Sequence, residues 1–178
     1  IQIPEEFAKK IPDLESKLNK ALESGDIFAQ QSAQELLPLV KQAKLLAKQY
    51  DAVIANPPYM GSKYLTPNLK TYLKKIYKGY DQDLFSAFMI RNLMLTKDSG
   101  QLGFMSPFVW MFISSYEKLR ENFIDRATLT SLIQLEYSGF DGATVPICTF
   151  TLAKSHITGF TGSFIRLSDF RGSENQAP

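Results

Sequence analysis

Asp51-Ala52-Val53-Ile54-Ala55-Asn56-Pro57-Pro58-Tyr59 is the pivot of this 178-residue sequence. Ala52 to Ala55 form a short apolar run between an acid and a tight turn. The run is too short for a helix and reads as a buried parallel strand. Pro57 and Pro58 lack a backbone N–H, so no strand ladder continues through them. In open α/β sheets ligands bind beyond the carboxyl ends of the strands, and Asn56–Tyr59 lies at such an end.

Outward from this stretch, hydrophobic spacing predicts an α/β order. Upstream, Phe7, Ile11, Leu14, Leu18 and Leu22 recur at helical spacing, as do Ala33, Leu36, Val40, Ala43 and Ala47. Ser24-Gly25-Asp26 breaks them into an N-terminal helical hairpin. Downstream, a loop over 60–82 holds a short helix near Asn68–Tyr77, and a second helix runs from Asp83 to Thr96 with Leu84, Phe88, Arg91 and Leu95 on one face. Asp98-Ser99-Gly100 ends it, and Leu102–Ser106 is the next strand. Ser114 and Glu117 have capping-box spacing ahead of a helix reaching Arg126. Strands follow at Leu129–Tyr137, Val145–Ala153 and Ser163–Leu167. The division expected is a helical segment over 1–50, half of an open sheet ending in an antiparallel hairpin over 51–171, and a polar tail over 172–178.

Composition narrows the function classes. One Cys and one His argue against a disulfide framework or a cysteine-based zinc site, and no metal centre is expected. No apolar run reaches the roughly 20 residues that span a bilayer, and no basic-then-apolar leader opens the chain. A cytoplasmic protein without membrane contact is therefore expected. The net charge of +2 says little, but its distribution says more. Between Asp51 and Asp81 there is no acid, while Lys63, Lys70, Lys74, Lys75 and Lys78 alternate with Tyr59, Tyr64, Tyr72, Tyr77 and Tyr80. Lysines neutralise phosphates and aromatic faces stack on bases. A solvated basic helix with tyrosines packed beneath it gives the same pattern.

Asn56–Tyr59 suits one chemistry. The exocyclic amine of a base is a poor nucleophile because its lone pair is delocalised into the ring. Acceptors aimed at its N–H groups favour the sp3-like form that attacks a methyl carbon. The Asn56 side-chain oxygen and the Pro57 carbonyl are two such acceptors, Pro57 and Pro58 hold them rigidly, and Tyr59 offers a face for stacking. A base inside a duplex must be flipped out to reach them. The plain alternative is a turn after a strand, since Asn-Pro commonly starts one.

Four segments in series resemble the N6-adenine DNA methyltransferases of restriction–modification and BREX phage-defence systems. Asp51–Tyr59 resembles their motif IV, Asp83-Leu-Phe-Ser-Ala-Phe88 motif V, and Gly100-Gln-Leu-Gly-Phe-Met-Ser-Pro107 motif VI. Tyr137-Ser-Gly-Phe-Asp-Gly-Ala-Thr-Val145 with Cys148-Thr-Phe-Thr-Leu152 resembles motif VIII. The resemblance covers about residues 50–155, and Met60-Gly-Ser-Lys-Tyr64 looks closest to the large type II-G-like enzymes. It implies a Rossmann-like sheet, S-adenosylmethionine (SAM) as cofactor and double-stranded DNA as partner. Asn56, Pro57, Pro58 and Tyr59 would form the catalytic turn. Phe140 and Lys63 would contact the DNA substrate, and Asn56, Asp83 and Phe85 would lie near SAM. Each has a plain alternative: Asp83 as a helix cap, Phe85 as core, Phe140 as packing. His156 falls outside every motif and reads as surface.

The sequence departs from the family in one respect. No Phe/Asp-x-Gly-x-Gly turn, the family's glycine-rich SAM motif, occurs in it. The chain is therefore expected to be the base-handling piece of a larger enzyme, partnered by the rest of its polypeptide and inactive alone. Two other readings stay open: methylation of protein glutamine or ribosomal guanine N2, and a non-catalytic interaction fragment.

Overall fold

The computed structural model describes residues 3–137, 145–170 and 175, in two compact units, Ile1–Gln49 and Tyr50–Pro178. The first is a helical hairpin. Helix α1 (Glu5–Leu22) and helix α2 (Ile27–Ala47) meet through Ile11 and Leu18 on one side and Ala33, Leu37 and Val40 on the other. Leu36 was expected on the inner stripe but is 47% exposed, and Leu37 is buried instead. Asp26 starts α2: its Oδ1 accepts from the amides of Phe28 (2.9 Å) and Ala29 (3.2 Å), two donors that the first turn leaves unpaired.

The second unit is a five-stranded mixed sheet. Its strands are β1 (Tyr50–Ala55), β2 (Thr96–Pro107), β3 (Thr128–Gln134), β4 (Ile147–Ala153) and β5 (Ser163–Arg166), in the order β1-β2-β4-β3-β5. β1 and β2 are parallel, β4 is antiparallel to both β2 and β3, and β5 is parallel to β3. Helices α3 (Pro67–Ile76) and α4 (Leu84–Leu95) lie in the β1–β2 crossover, and α5 (Glu117–Arg126) precedes β3.

Strand alternation makes the sheet one-sided among the described residues. Leu102, Phe104 and Ser106 of β2 face the dry side with their β4 partners Leu152, Phe150 and Cys148. Phe85, Met89 and Leu93 of α4 and Leu119 and Phe123 of α5 belong to the same core. The other side carries Met105, Thr149 and Ile133, none of them buried, and the Thr151 hydroxyl bonds those of Thr130 (2.7 Å) and Ser131 (2.6 Å) there. This corrects the expectation of a buried β1. Val53 and Ala55 are partly buried, whereas Ile54, opposite Gly103 on the uncovered side, is 86% exposed. Among the described residues β1 has one strand partner, β2.

Two more expectations change. Asp98-Ser99-Gly100 does not separate helix from strand; it bends within β2, where Ser99 adopts φ 63° and the register with β1 shifts. A Cβ on Gly100 would fall 2.8 Å from the Asp51 carbonyl oxygen and 2.9 Å from that of Lys97, so the bend requires glycine. The capping box does not form either. Glu117 is the first residue of α5, too early to reach back, and Tyr116 caps it without a side-chain bond.

Gly100→Ala is expected to cost about 1–3 kcal/mol, as overpacking does. Gly25→Ala, with nothing within 4 Å of the new carbon, should cost far less. Denaturant unfolding of both variants checks the contrast, and equal losses would contradict it.

Candidate active site

The site is built at the carboxyl end of β1. Pro57 is buried and anchors the turn, while Asn56, Pro58 and Tyr59 stay exposed. The Tyr59 hydroxyl donates to Asn56 Oδ1 at 3.0 Å. An amide oxygen has two lone pairs, so this bond fixes the carboxamide with one acceptor position left over. Burial, and then the neighbouring Cys148, raises the Tyr59 phenol above its ordinary value. The hydroxyl therefore stays protonated, and stays a donor, through neutral pH. Cys148 lies at zero exposure with its Sγ 3.9 Å from the buried Ser106 hydroxyl, and burial pushes its thiol up to about 11. Sequence reasoning missed the pairing of Cys148 with Ser106, because only the β2–β4 register brings them together.

Asp83 ties the exit of this turn to α4. Its Oδ1 accepts from the Met60 amide at 2.9 Å and from the Phe85 amide at 3.2 Å, capping the helix. The Leu84 amide donates back to the Met60 carbonyl at 3.1 Å, and Gly61 pairs with Asp83 as an antiparallel bridge. The residue after Tyr59 is thus stapled to a core helix. Burial raises the Asp83 carboxyl above its ordinary value, against the lowering effect of the amides it accepts from.

The other expected residues fall unevenly. Phe85 is 1% exposed and packs on Tyr116 with ring centroids 5.3 Å apart. Lys63 is exposed, with its ammonium 4.8 Å from the Tyr64 ring centre. Phe140 lies outside the described residues. His156 is exposed, its Nδ1 2.9 Å from the Ile124 carbonyl oxygen. Among the described residues no cluster of three or more His, Cys, Asp or Glu is placed to hold a metal ion. None of their helices is long and apolar enough to cross a membrane.

A mixed sheet with Asn-Pro-Pro-Tyr at the end of a parallel strand has the class I SAM-dependent methyltransferase fold. A solved structure from Listeria monocytogenes, described as of that class, aligns with a TM-score of 0.53 at 17% identity, covering 74% of this chain and 46% of that one. More narrowly, the chain belongs to the Eco57I restriction-modification methylase family, whose profile matches residues 2–140. It is 35% identical over 95% of its length to the adenine-specific methyltransferase BrxX of Escherichia coli O9:H4 (strain HS). It is 33% identical over 87% of its length to the adenine-specific methyltransferase PglX of Lacticaseibacillus casei (strain Zhang). It spans 14% of the length of each of these relatives.

The Asp83 staple gives a test with a definite sign. A raised folded value means that the charged carboxylate costs stability, so this group's contribution falls as pH rises through that value and is greatest in acid. Asp83→Asn keeps the acceptor oxygen without the charge, and should be at least as stable as the parent at neutral pH. Asp83→Ala should lose about 1 kcal/mol, the usual worth of an N-cap. Thermal unfolding at pH 7 decides, and an Asn variant as weak as the Ala variant would remove the staple.

Proposed function

We propose that this chain is the base-handling part of a site-specific DNA adenine-N6 methyltransferase of a restriction–modification or phage-defence system. One observation carries the reading: Asn56 Oδ1, exposed at a parallel strand's carboxyl end, is oriented by the Tyr59 hydroxyl with a lone pair to spare. Family membership and the adenine-specific relatives support the substrate assigned.

The target adenine, flipped from duplex DNA, presents its N6 amine to Asn56 Oδ1 and the Pro57 carbonyl. Accepting both N–H bonds draws the nitrogen towards the sp3-like form with its lone pair directed outward. Tyr59 stacks on the base, and Phe140 is assigned to its other face. The Asp83 staple keeps Tyr59 from drifting, which matters because small misplacements of a positioning group are costly.

SAM supplies the methyl group. Of the residues expected beside it, Asn56 fits through its exposed carboxamide and Asp83 through a half-buried carboxylate, though that group already serves two amides. Phe85 does not fit as a contact, since its ring is enclosed by the core. With no glycine-rich turn in the chain, the remaining cofactor contacts are assigned to the rest of the polypeptide. The open edge of β1 and the exposed Ile54 are where further strands would join. A DNA-modifying role places the protein in the cytoplasm.

In the enzyme that contains this chain, Asn56→Ala should abolish methyl transfer while leaving thermal unfolding unchanged, and Tyr59→Ala should weaken base holding by roughly 1–3 kcal/mol. Transfer of labelled methyl groups from SAM to duplex DNA measures both. Activity retained in the Asn56 variant would overturn the assignment.

A further inference from the structure

The longest stretch of the sequence without an acid, residues 52–80, contains the Asn56–Tyr59 turn and α3 beyond it. Thr66 caps α3 through its hydroxyl and Pro67 occupies the first turn, so the helix starts where the sequence directs. Its inner face is anchored: Leu73 and Tyr77 are buried in the main core, and Leu69 and Tyr72 pack beside them. Anchoring that face fixes the other. Lys70, Lys74 and Lys75 lie on α3 and Lys78 in the turn after it, and no acid occurs from residue 52 to 80. Lys74, Lys75 and Lys78 are exposed and Lys70 is partly so.

Two further lysines extend the row. Lys63, on the short turn between Tyr59 and α3, lies over the ring of Tyr64, which is 70% exposed. Lys118 arrives from α5. Its side chain lies against Gly79, where a Cβ would fall 2.7 Å from Lys118 Cδ, and Gly79 holds φ +93°. That contact brings Lys118 beside Lys78 across 40 residues of sequence. Asp81, the nearest acid in sequence, has its Oδ1 engaged by the Gly79 amide at 2.9 Å. Glu117 and Glu121 flank Lys118 on α5. Among the described residues, none of these six lysines takes part in an ion pair, and the same holds for Lys10, Lys20, Lys41 and Lys48.

Holding like charges together without partners costs folding free energy, so the row is matched to a polyanion outside the chain. We propose that the outer face of α3, with Lys63 at one end and Lys118 at the other, binds the phosphate backbone of duplex DNA beside the flipped base. This rests on the methyltransferase reading for the identity of the polyanion. The row contacts phosphates and no base edges, so it sets the register of the duplex over Asn56 without reading sequence. Tyr64, exposed between Lys63 and α3, supplies a flat face next to the gap that a flipped base leaves.

Salt dependence tests this directly. Each phosphate neutralised contributes about 0.9 to the slope of log affinity against log salt on duplex DNA. Anisotropy titrations of the whole chain with a short labelled duplex, at several salt concentrations, give that slope. The triple variant Lys70→Gln/Lys74→Gln/Lys78→Gln should lower it by roughly 2 to 3. Glutamine matches lysine in helix propensity, so α3 should persist, as circular dichroism would verify. Lys118→Gln should lower the slope by up to about 1. Lys9→Gln/Lys17→Gln, in the first unit, should leave it unchanged. An unchanged slope in the triple variant overturns the proposal, and so does tighter binding to single-stranded RNA than to the duplex. Asn56→Ala separates the two readings: it should keep the full slope in the chain while losing methyl transfer in the enzyme that contains it. Loss of the slope effect with transfer intact would sink the lysine face alone.

Discussion

Parallel pairing of β1 with β2 is the constraint on which the rest of the second unit depends. Two parallel strands cannot be joined by a tight turn; the chain must leave one end and cross back to the other. Everything between Ala55 and Thr96 is therefore crossover: the Asn-Pro-Pro-Tyr turn, the lysine-bearing α3 and the buried α4. The turn falls at the carboxyl end of β1 because that is where the crossover departs. α4 then has to bury most of its circumference, with Phe85, Ala87, Met89, Ile90 and Leu93 all in the core. A helix enclosed to that degree is a firm base for the Asp83 staple.

Rigidity and exposure are combined at the turn by using backbone groups for the first and side chains for the second. Met60 is held through its amide and its carbonyl, and Pro57 by burial. Asn56 and Tyr59 are left accessible and restrain each other through one hydrogen bond. Such a bond contributes about 0.5–1.5 kcal/mol, enough to bias an amide's orientation and weak enough to let it adjust.

Local patterns were legible in the sequence wherever one short segment settles its own conformation. The apolar run before Asn56, the short helix near Asn68–Tyr77, Asp83 as a cap and the hairpin of β3 and β4 all follow from neighbours in sequence. What escaped depends on distant segments. β4 inserts between β2 and β3, so the Cys148–Ser106 contact could not be read from either strand alone. Ile54 was misplaced because burial depends on which face of the sheet is covered. Ser114 and Glu117 have the right spacing for a box, but a 3-10 turn over Ser114–Tyr116 delays the helix. Asp83 proved to serve two amides, of which only the Phe85 one is local.

The buried contact between Cys148 and Ser106 has a use apart from chemistry. Cys148 is the chain's single thiol, fully enclosed, with its acidity suppressed to about 11. The thiolate is the form that attacks thiol reagents, so this sulfur is inert while β2 and β4 stay zipped. It becomes reactive when that seam parts, and the rate at which a small alkylating agent labels it follows the opening of the seam between β2 and β4. The chain thus carries a built-in clock for local unfolding at the centre of its sheet.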